Sequence, residues 1–302
     1  MDLKSKIILI YGPTASGKSK FAIQLAKKIN GEIINADSMQ VYKELKIISA
    51  RPSQKDYQNI KHHLYGFRDA KKNFSTGDWL KLINKKILDL RKREKISILV
   101  GGTGLYFKAL TNGLVNIPNI PTKLRNRIRS LHKKIGSKNF FSKLVKLDPL
   151  VKNQIKSSDT QRCIRAYEVK LSTNKSIYNW YKNTQSNYKQ KDFFKIYVDF
   201  PRNELLNRIN LRAHEMIKNG AVSEVKRFIK LKVPKEKTAN KAIGIREVKE
   251  YLNKKIDIKE VIDKISIKTR QYAKRQSTWA RGNMQNWNKM NPKQLKIFLK
   301  KI

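Results

Sequence analysis

Gly12-Pro13-Thr14-Ala15-Ser16-Gly17-Lys18-Ser19 is the stretch from which the fold is read. It satisfies G-x-x-x-x-G-K-[ST] without a mismatch, the pattern of a phosphate-cradling P-loop. The glycines let successive backbone N–H groups turn inward around an anion. A helix starting just after them adds its dipole. Lys18 supplies a point charge to the outer phosphates, and the Ser19 hydroxyl is a ligand for Mg²⁺. The motif sits where this chemistry needs it. Before it, Lys6 to Tyr11 is a short apolar run that reads as a buried strand. After it, Phe21, Leu25 and Ile29 recur at helical spacing over Lys18 to Ile29, and Asn30-Gly31 is a stop signal.

Further strands are expected at Glu32 to Asn35, Ile96 to Val100 and Phe194 to Phe200. Strands alternating with helices predict an α/β fold: a P-loop NTPase-like parallel sheet flanked by helices. From about Pro118 to Gln190 the chain is basic, polar and helical in texture, with Pro118 and Pro121 at its entrance. That segment is expected to be an all-helical insertion domain, residues 118–190. It divides a catalytic core made of residues 1–117 and 191–302.

Among 302 residues there are 68 Lys and Arg against 23 Asp and Glu, a formal net charge of +45. Such an excess suits a polyanionic partner, nucleic acid above all. A Lys-, Ile- and Asn-rich composition of the kind an AT-rich genome produces also contributes. Cys163 is the single cysteine, so no intrachain disulfide or multi-cysteine metal site can form. His62, His63, His132 and His214 do not stand at zinc-ligand spacings. Ile7 to Tyr11 is too short for a signal-peptide core or a membrane span, so a cytoplasmic protein is expected.

An ordinary NTPase needs an acid at the end of a second apolar strand to hold the metal. Ile96 to Val100 runs instead into Gly101-Gly102-Thr103-Gly104. The carboxylate left to face a bound diphosphate is Asp37, as metal ligand, as general base or, more simply, as a turn residue. The loop therefore reads as a diphosphate grip without the usual hydrolytic acid.

Seven blocks taken together resemble the tRNA dimethylallyltransferase (tRNA isopentenyltransferase) family, over Ile7 to about Arg281. They are Gly12 to Ser19, Asn35-Ala36-Asp37-Ser38-Met39-Gln40-Val41-Tyr42, Phe74 to Trp79, Val100 to Phe107, Asp159 to Val169, Ala242 to Glu247 and Thr269 to Trp279. The specificity lies in their order and spacing. Departures are Ile48-Ser49-Ala50-Arg51-Pro52 where the family has a Gly-Thr-Ala-Lys-Pro run, Lys241 before Ala242, and Tyr65-Gly66 after His62-His63-Leu64 in place of an acid. The zinc finger of eukaryotic members has no cysteines here, which makes this a bacterial-type sequence.

The resemblance implies transfer of a dimethylallyl group from dimethylallyl diphosphate to the exocyclic amine of the adenosine 3′-adjacent to the anticodon, position 37 of the tRNA. Pyrophosphate is released. It further implies Asp37 as catalytic base, Thr103 as an active-site hydrogen-bonding residue and Arg212 as a diphosphate contact. Arg208, four residues earlier, is expected to be a surface or supporting charge. The diphosphate would lie on Gly12 to Ser19, that is Gly12, Pro13, Thr14, Ala15, Ser16, Gly17, Lys18 and Ser19, with Mg²⁺ near Ser19. The anticodon stem-loop would meet Asp37, Ser38, Met39 and Gln40, then Gln161, Arg162, Cys163, Ile164 and Arg165, and finally Lys274, Arg275, Gln276, Trp279 and Arg281. The enzyme is expected to act as a monomer. A metabolite kinase and a non-catalytic RNA-binding protein with an unused P-loop are the rival classes.

Overall fold

The computed structural model describes residues 3–302. Six strands form one sheet: β1 (Ile7–Tyr11), β2 (Gly31–Asn35), β3 (His62–His63), β4 (Ile96–Gly101), β5 (Phe193–Val198) and β6 (Asn288–Met290). Their order is β3-β2-β4-β1-β5-β6, and every neighbouring pair is parallel. The helices are α1 (Lys18–Lys28), α2 (Thr76–Lys92), α3 (Gly104–Asn112), α4 (Thr122–Leu147), α5 (Thr160–Thr173), α6 (Ile177–Tyr181), α7 (Arg202–Lys218), α8 (Ala221–Lys230), α9 (Ile245–Leu252), α10 (Ile258–Asn283) and α11 (Pro292–Lys301).

All five residues of β1 are buried, because a parallel sheet is covered on both faces. Its side chains alternate between two cores. Ile7, Leu9 and Tyr11 join Trp79, Ile83 and Ile87 of α2 and Phe107 of α3. Ile8 and Ile10 join Phe21, Ala22 and Leu25 of α1 and Leu295 of α11. A third core is built by α8, α9 and α10 around Val41, Tyr42, Leu45 and Ile48. There Glu224 accepts the backbone N–H groups of Lys46, Ile47 and Ile48 at 2.8–3.0 Å and fixes that turn.

The chain divides into two compact units. One contains residues up to Thr111 with Tyr188–Ile302, the other Asn112–Asn187. Sequence placed these boundaries at 117/118 and 190/191. The insertion starts earlier because Gly113, at φ +89°, already lies against the Gln185 and Ser186 backbone, so close that a Cβ would come within 2.2 Å of the Gln185 carbonyl. The regular elements of the insertion are all helical, with α4, α5 and α6 around Ile128, Phe140, Leu144, Val151 and Val169. α4 is two helices joined at Gly136, where φ is 76° and ψ 166°. No acidic residue occurs anywhere along α4.

Candidate active site

The parallel sheet delivers the ends of β1, β2 and β4 to one edge, where the loops that follow them meet. After β1, the chain turns through Ala15 at φ 66° and Gly17 at φ 83° before α1 begins. An alanine in the left-handed region is locally strained, and such strain collects at functional turns. Gly12 has no room for a side chain: a Cβ would sit 2.9 Å from Ser16 Oγ and 3.0 Å from Val198 Cβ. α1 begins with no side-chain cap and no acid in its first turn. Its first amides are therefore left for an external anion.

Three cations converge on this loop. Lys18 Nζ donates to the Pro13 carbonyl at 3.1 Å. Although the residue keeps some exposed surface, enclosure of its ammonium lowers its pKa to about 8; Asp37 acts against that shift and Arg212 with it. Arg212 Nη1 donates to Thr14 Oγ1 at 3.3 Å. Burial, then the neighbouring Arg208, lowers its pKa. Arg208 was expected at the surface or in support. It is exposed and supports the loop: its guanidinium lies 4.1 Å from the centre of the Phe200 ring, with Nη1 3.5 Å from the Ala15 carbonyl.

Asp37 stands on a turn built for it. Asn35, fully buried, accepts the Asp37 N–H at 2.8 Å and donates to the carbonyls of Asp37 and Leu64 at 3.0 Å. Asp37 Oδ1 accepts from Met39 N at 2.9 Å. Thr103 reaches the same turn: its Oγ1 accepts from Ser38 N at 3.0 Å, and its N–H donates to the Ala36 carbonyl at 3.2 Å. A Cβ on Gly101 would lie 2.0 Å from that carbonyl, so the approach of β4 to the turn requires glycine. Trp79 Nε1 donates to the Asn35 carbonyl at 3.0 Å, and its ring stacks on Tyr106 at 4.3 Å. Tyr65, Tyr106 and Tyr272 all feel the Asp37 charge; burial first and then their neighbours, Asp37 among them, push their phenols above the ordinary tyrosine range.

Gln276 ties the loops together. Its Oε1 accepts from Thr14 N at 2.8 Å and its Nε2 donates to the Gly102 carbonyl at 2.9 Å. Its own carbonyl accepts the Tyr11 hydroxyl at 2.9 Å. At 4% exposure it is an interior strut, not the RNA-facing residue that its basic block suggested. Cys163, also expected at the RNA, is buried in the insertion core, where its thiol is pushed up by burial. Gln40 spends its amide on the Ser49 and Ala50 carbonyls, and Met39 packs against the third core. Ser38 and Ile164 are partly buried.

The remaining expected RNA contacts sit on the outside. Gln161 and Arg162 are exposed beside Asp159 on an open concavity of about 590 Å³ in the insertion, and Arg165 is partly exposed on the same helix. Lys274, Arg275 and Arg281 are exposed on α10. Trp279 is half-buried, its ring against Gly104 and 5.9 Å from that of Tyr11. Sequence reasoning did not single out Asn35, Tyr65, Tyr106 or Tyr272 for the site. Their signal was weak: each is a single polar or aromatic residue with no charge or spacing that marks it out from its neighbours.

Among the described residues no three His, Cys, Asp or Glu side chains converge on a metal position. The Ser19 hydroxyl in the loop is a hard oxygen donor of the kind Mg²⁺ takes when phosphates complete its shell.

The sequence model of one family, IPP transferase, matches residues 40–283. A tRNA dimethylallyltransferase of Pelagibacter ubique is 57% identical over 302 residues, covering 100% of this chain and 96% of the relative. Another, of Agrobacterium fabrum, is 40% identical and covers 97% and 99%. The crystal structure of a full-length tRNA isopentenylpyrophosphate transferase from Bacillus halodurans superposes with a TM-score of 0.69 at 30% identity, over 98% of this chain and 95% of that one. A eukaryotic dimethylallyltransferase acting on tRNA gives a TM-score of 0.82 at 28% identity, over 95% and 73%.

Proposed function

The chain belongs to the IPP transferase family, and from that membership we propose that it transfers a dimethylallyl group from dimethylallyl diphosphate to the exocyclic amine of adenosine 37 in tRNA. The observation that carries the mechanism is the placing of one carboxylate, Asp37, beside a P-loop that gathers Lys18, Arg208 and Arg212. Three cations and the free amides of α1 suit a diphosphate, and the acid beside them is the group we assign to the acceptor.

In the reaction the bond between the dimethylallyl carbon and its diphosphate oxygen breaks, and the electron pair leaves on pyrophosphate. The amine lone pair forms the new carbon–nitrogen bond. Asp37 takes the amine proton, since an exocyclic adenine amine is a weak nucleophile that needs a base as the bond forms. Lys18, Arg212 and the amides of Gly17, Lys18 and Ser19 at the start of α1 stabilise the charge growing on the leaving group, with Arg208 bracing the loop. Thr103 holds the Asp37–Ser38 turn in place. Mg²⁺, when bound, would be held near Ser19 and would offset diphosphate charge.

The target base must leave the anticodon-loop stack to reach Asp37. Gln161, Arg162 and Arg165 of the insertion and Lys274, Arg275, Trp279 and Arg281 of α10 are the proposed RNA contacts, by phosphate pairing and base stacking. A parallel sheet with the loop after β1 supports a P-loop NTPase-like ancestry for the core. The family reading also favours a cytoplasmic monomer, and no described helix is long and apolar enough to cross a membrane.

The test is direct. Purified protein is incubated with unmodified tRNA, Mg²⁺ and dimethylallyl diphosphate, and the digested RNA is searched by mass for isopentenyladenosine. Its absence from every tRNA with adenosine 37 overturns the assignment.

A further inference from the structure

We propose that Arg125 and Arg129 of α4 and Arg165 of α5 form a binding site for backbone phosphodiesters of RNA, and that Glu168 is the buried residue that positions them. The site lies wholly within the insertion. It rests on the tRNA reading above and adds residues, Arg125, Arg129 and Glu168, that neither the motif nor the active-site geometry called for.

Glu168 is 3% exposed. Around it stand Arg125 Nε at 3.9 Å, Arg129 Nε at 3.9 Å and Arg165 Nη1 at 3.5 Å. Three guanidiniums share one carboxylate, which leaves two positive charges uncompensated. None of the three contacts closes into a hydrogen bond: Glu168 Oε1 and Arg125 Nε are both buried without a hydrogen-bond partner.

A plain helix staple has another form, and this chain contains one. Glu32, equally buried, is gripped by Arg93 through two guanidinium nitrogens, Nη1 at 2.9 Å to Oε1 and Nη2 at 3.2 Å to Oε2. His63 Nε2 lies 2.6 Å from Oε2, so one arginine and one imidazole satisfy that carboxylate with closed hydrogen bonds. At Glu168 the two α4 arginines approach through Nε, on the stem side, and so keep their terminal forks outward. The side chains of Arg125, Arg129 and Arg165 are 39%, 58% and 38% exposed. Forks of that kind match phosphate oxygens in pairs.

The spacing repeats the same point. Arg125 and Arg129 are four apart on one face of α4, and Arg165 and Glu168 are three apart on α5, so the four side chains meet across one helix pair. Because α4 carries no acid, Glu168 is left to organise the arginines from the facing helix. Holding three cations in place beforehand lowers the ordering cost of binding a phosphate.

The sign of one substitution separates positioning from bulk charge. Glu168→Gln raises the net positive charge by one, so unspecific attraction would tighten RNA binding. The proposal requires the reverse. Binding of an anticodon stem-loop RNA is measured by fluorescence polarisation from about 0.05 to 0.2 M salt for the wild type and for Glu168→Gln, Arg125→Gln and Arg129→Gln.

Each arginine variant should bind about tenfold more weakly near 0.15 M salt and lose about one unit from the log–log salt slope. KM for dimethylallyl diphosphate should not change. Glu168→Gln should also weaken binding several-fold. Tighter or equal binding by Glu168→Gln, or wild-type slopes for the arginine variants, overturns the site. Should Glu168→Gln fail to fold, Arg129→Gln decides alone, since that side chain is the most exposed of the three. Wild-type protein that makes no product would defeat the parent reading. Wild-type product with unaltered variants would defeat only this site.

Discussion

Gln276→Met tests the strut that joins the phosphate loop to the Gly101–Gly104 loop. Methionine has nearly the length of glutamine and neither its donor nor its acceptor, so the packing of α10 is kept. The variant leaves the Thr14 N–H and the Gly102 carbonyl without their partners, bonds of 2.8 and 2.9 Å in the wild type. A buried polar group left unsatisfied costs about 1–3 kcal/mol, so the two together cost about 2–6 kcal/mol unless the loops move apart. If the loops move to recover water, about 3 kcal/mol of positioning is lost, equivalent to roughly 150-fold in rate. The expected result is a kcat/KM for dimethylallyl diphosphate lower by about two orders of magnitude, with the RNA Kd changed less than about threefold. Steady-state kinetics on an anticodon stem-loop and filter binding of the same RNA give both numbers. Gln276→Glu, which keeps the acceptor for Thr14 but repels the Gly102 carbonyl, should also be impaired. The reasoning fails if Gln276→Met loses RNA affinity while its diphosphate kinetics stay normal, since the residue would then belong to the RNA face.

Asp37→Asn keeps the acceptor for Met39 N and hence the turn. It should lower turnover by about 10²–10⁴ with RNA binding nearly unchanged; single-turnover kinetics that show the chemical step at wild-type speed would remove Asp37 as the base. Lys18, lowered to about 8 in the free site, must be charged to meet the diphosphate. Affinity for dimethylallyl diphosphate should therefore be flat below about pH 8 and fall by up to about tenfold per unit above it; titration calorimetry showing no fall would contradict this. In the ligand-free protein the sign reverses. The enclosed charge costs stability below about pH 8, and that cost fades as pH rises toward 10.5, so Lys18→Met should flatten this part of the stability profile. Glu224→Ala strands three amides at Lys46 to Ile48 and should cost on the order of 3 kcal/mol or more in denaturant unfolding; a loss under about 1 kcal/mol would show that the turn finds other partners.

The central strands were legible because a doubly covered parallel strand is a short apolar run between breakers, as Ile7 to Tyr11 and Ile96 to Val100 are. The outer ones were not. β3 is only His62–His63 and β6 only Asn288–Met290, too short and polar to carry a pattern. Within the site, the residues a motif dictates were readable, since backbone turns around phosphate constrain the sequence locally. Gln276 was misread because what it touches lies 262 residues away. A clue to Gln276 did exist: Ala273 and Ala280 flank it at helical spacing and are buried with it, so it shares the inward stripe of α10. The basic texture of its neighbours concealed that.

The bond between Thr14 and Gln276 also bears on how the protein is made. The first strand, the phosphate loop and the Asp37 turn leave the ribosome well before the strut that sets their spacing, which follows Thr14 by 262 residues. A nascent chain therefore holds a phosphate loop that is not yet aligned, and ligation of diphosphate cannot guide the early steps of folding. The edge of β5 likewise waits for β6, at residues 288–290, before it is covered. Truncation before Gln276 should consequently disable chemistry performed around Lys18 and Asp37, more than two hundred residues earlier in the chain.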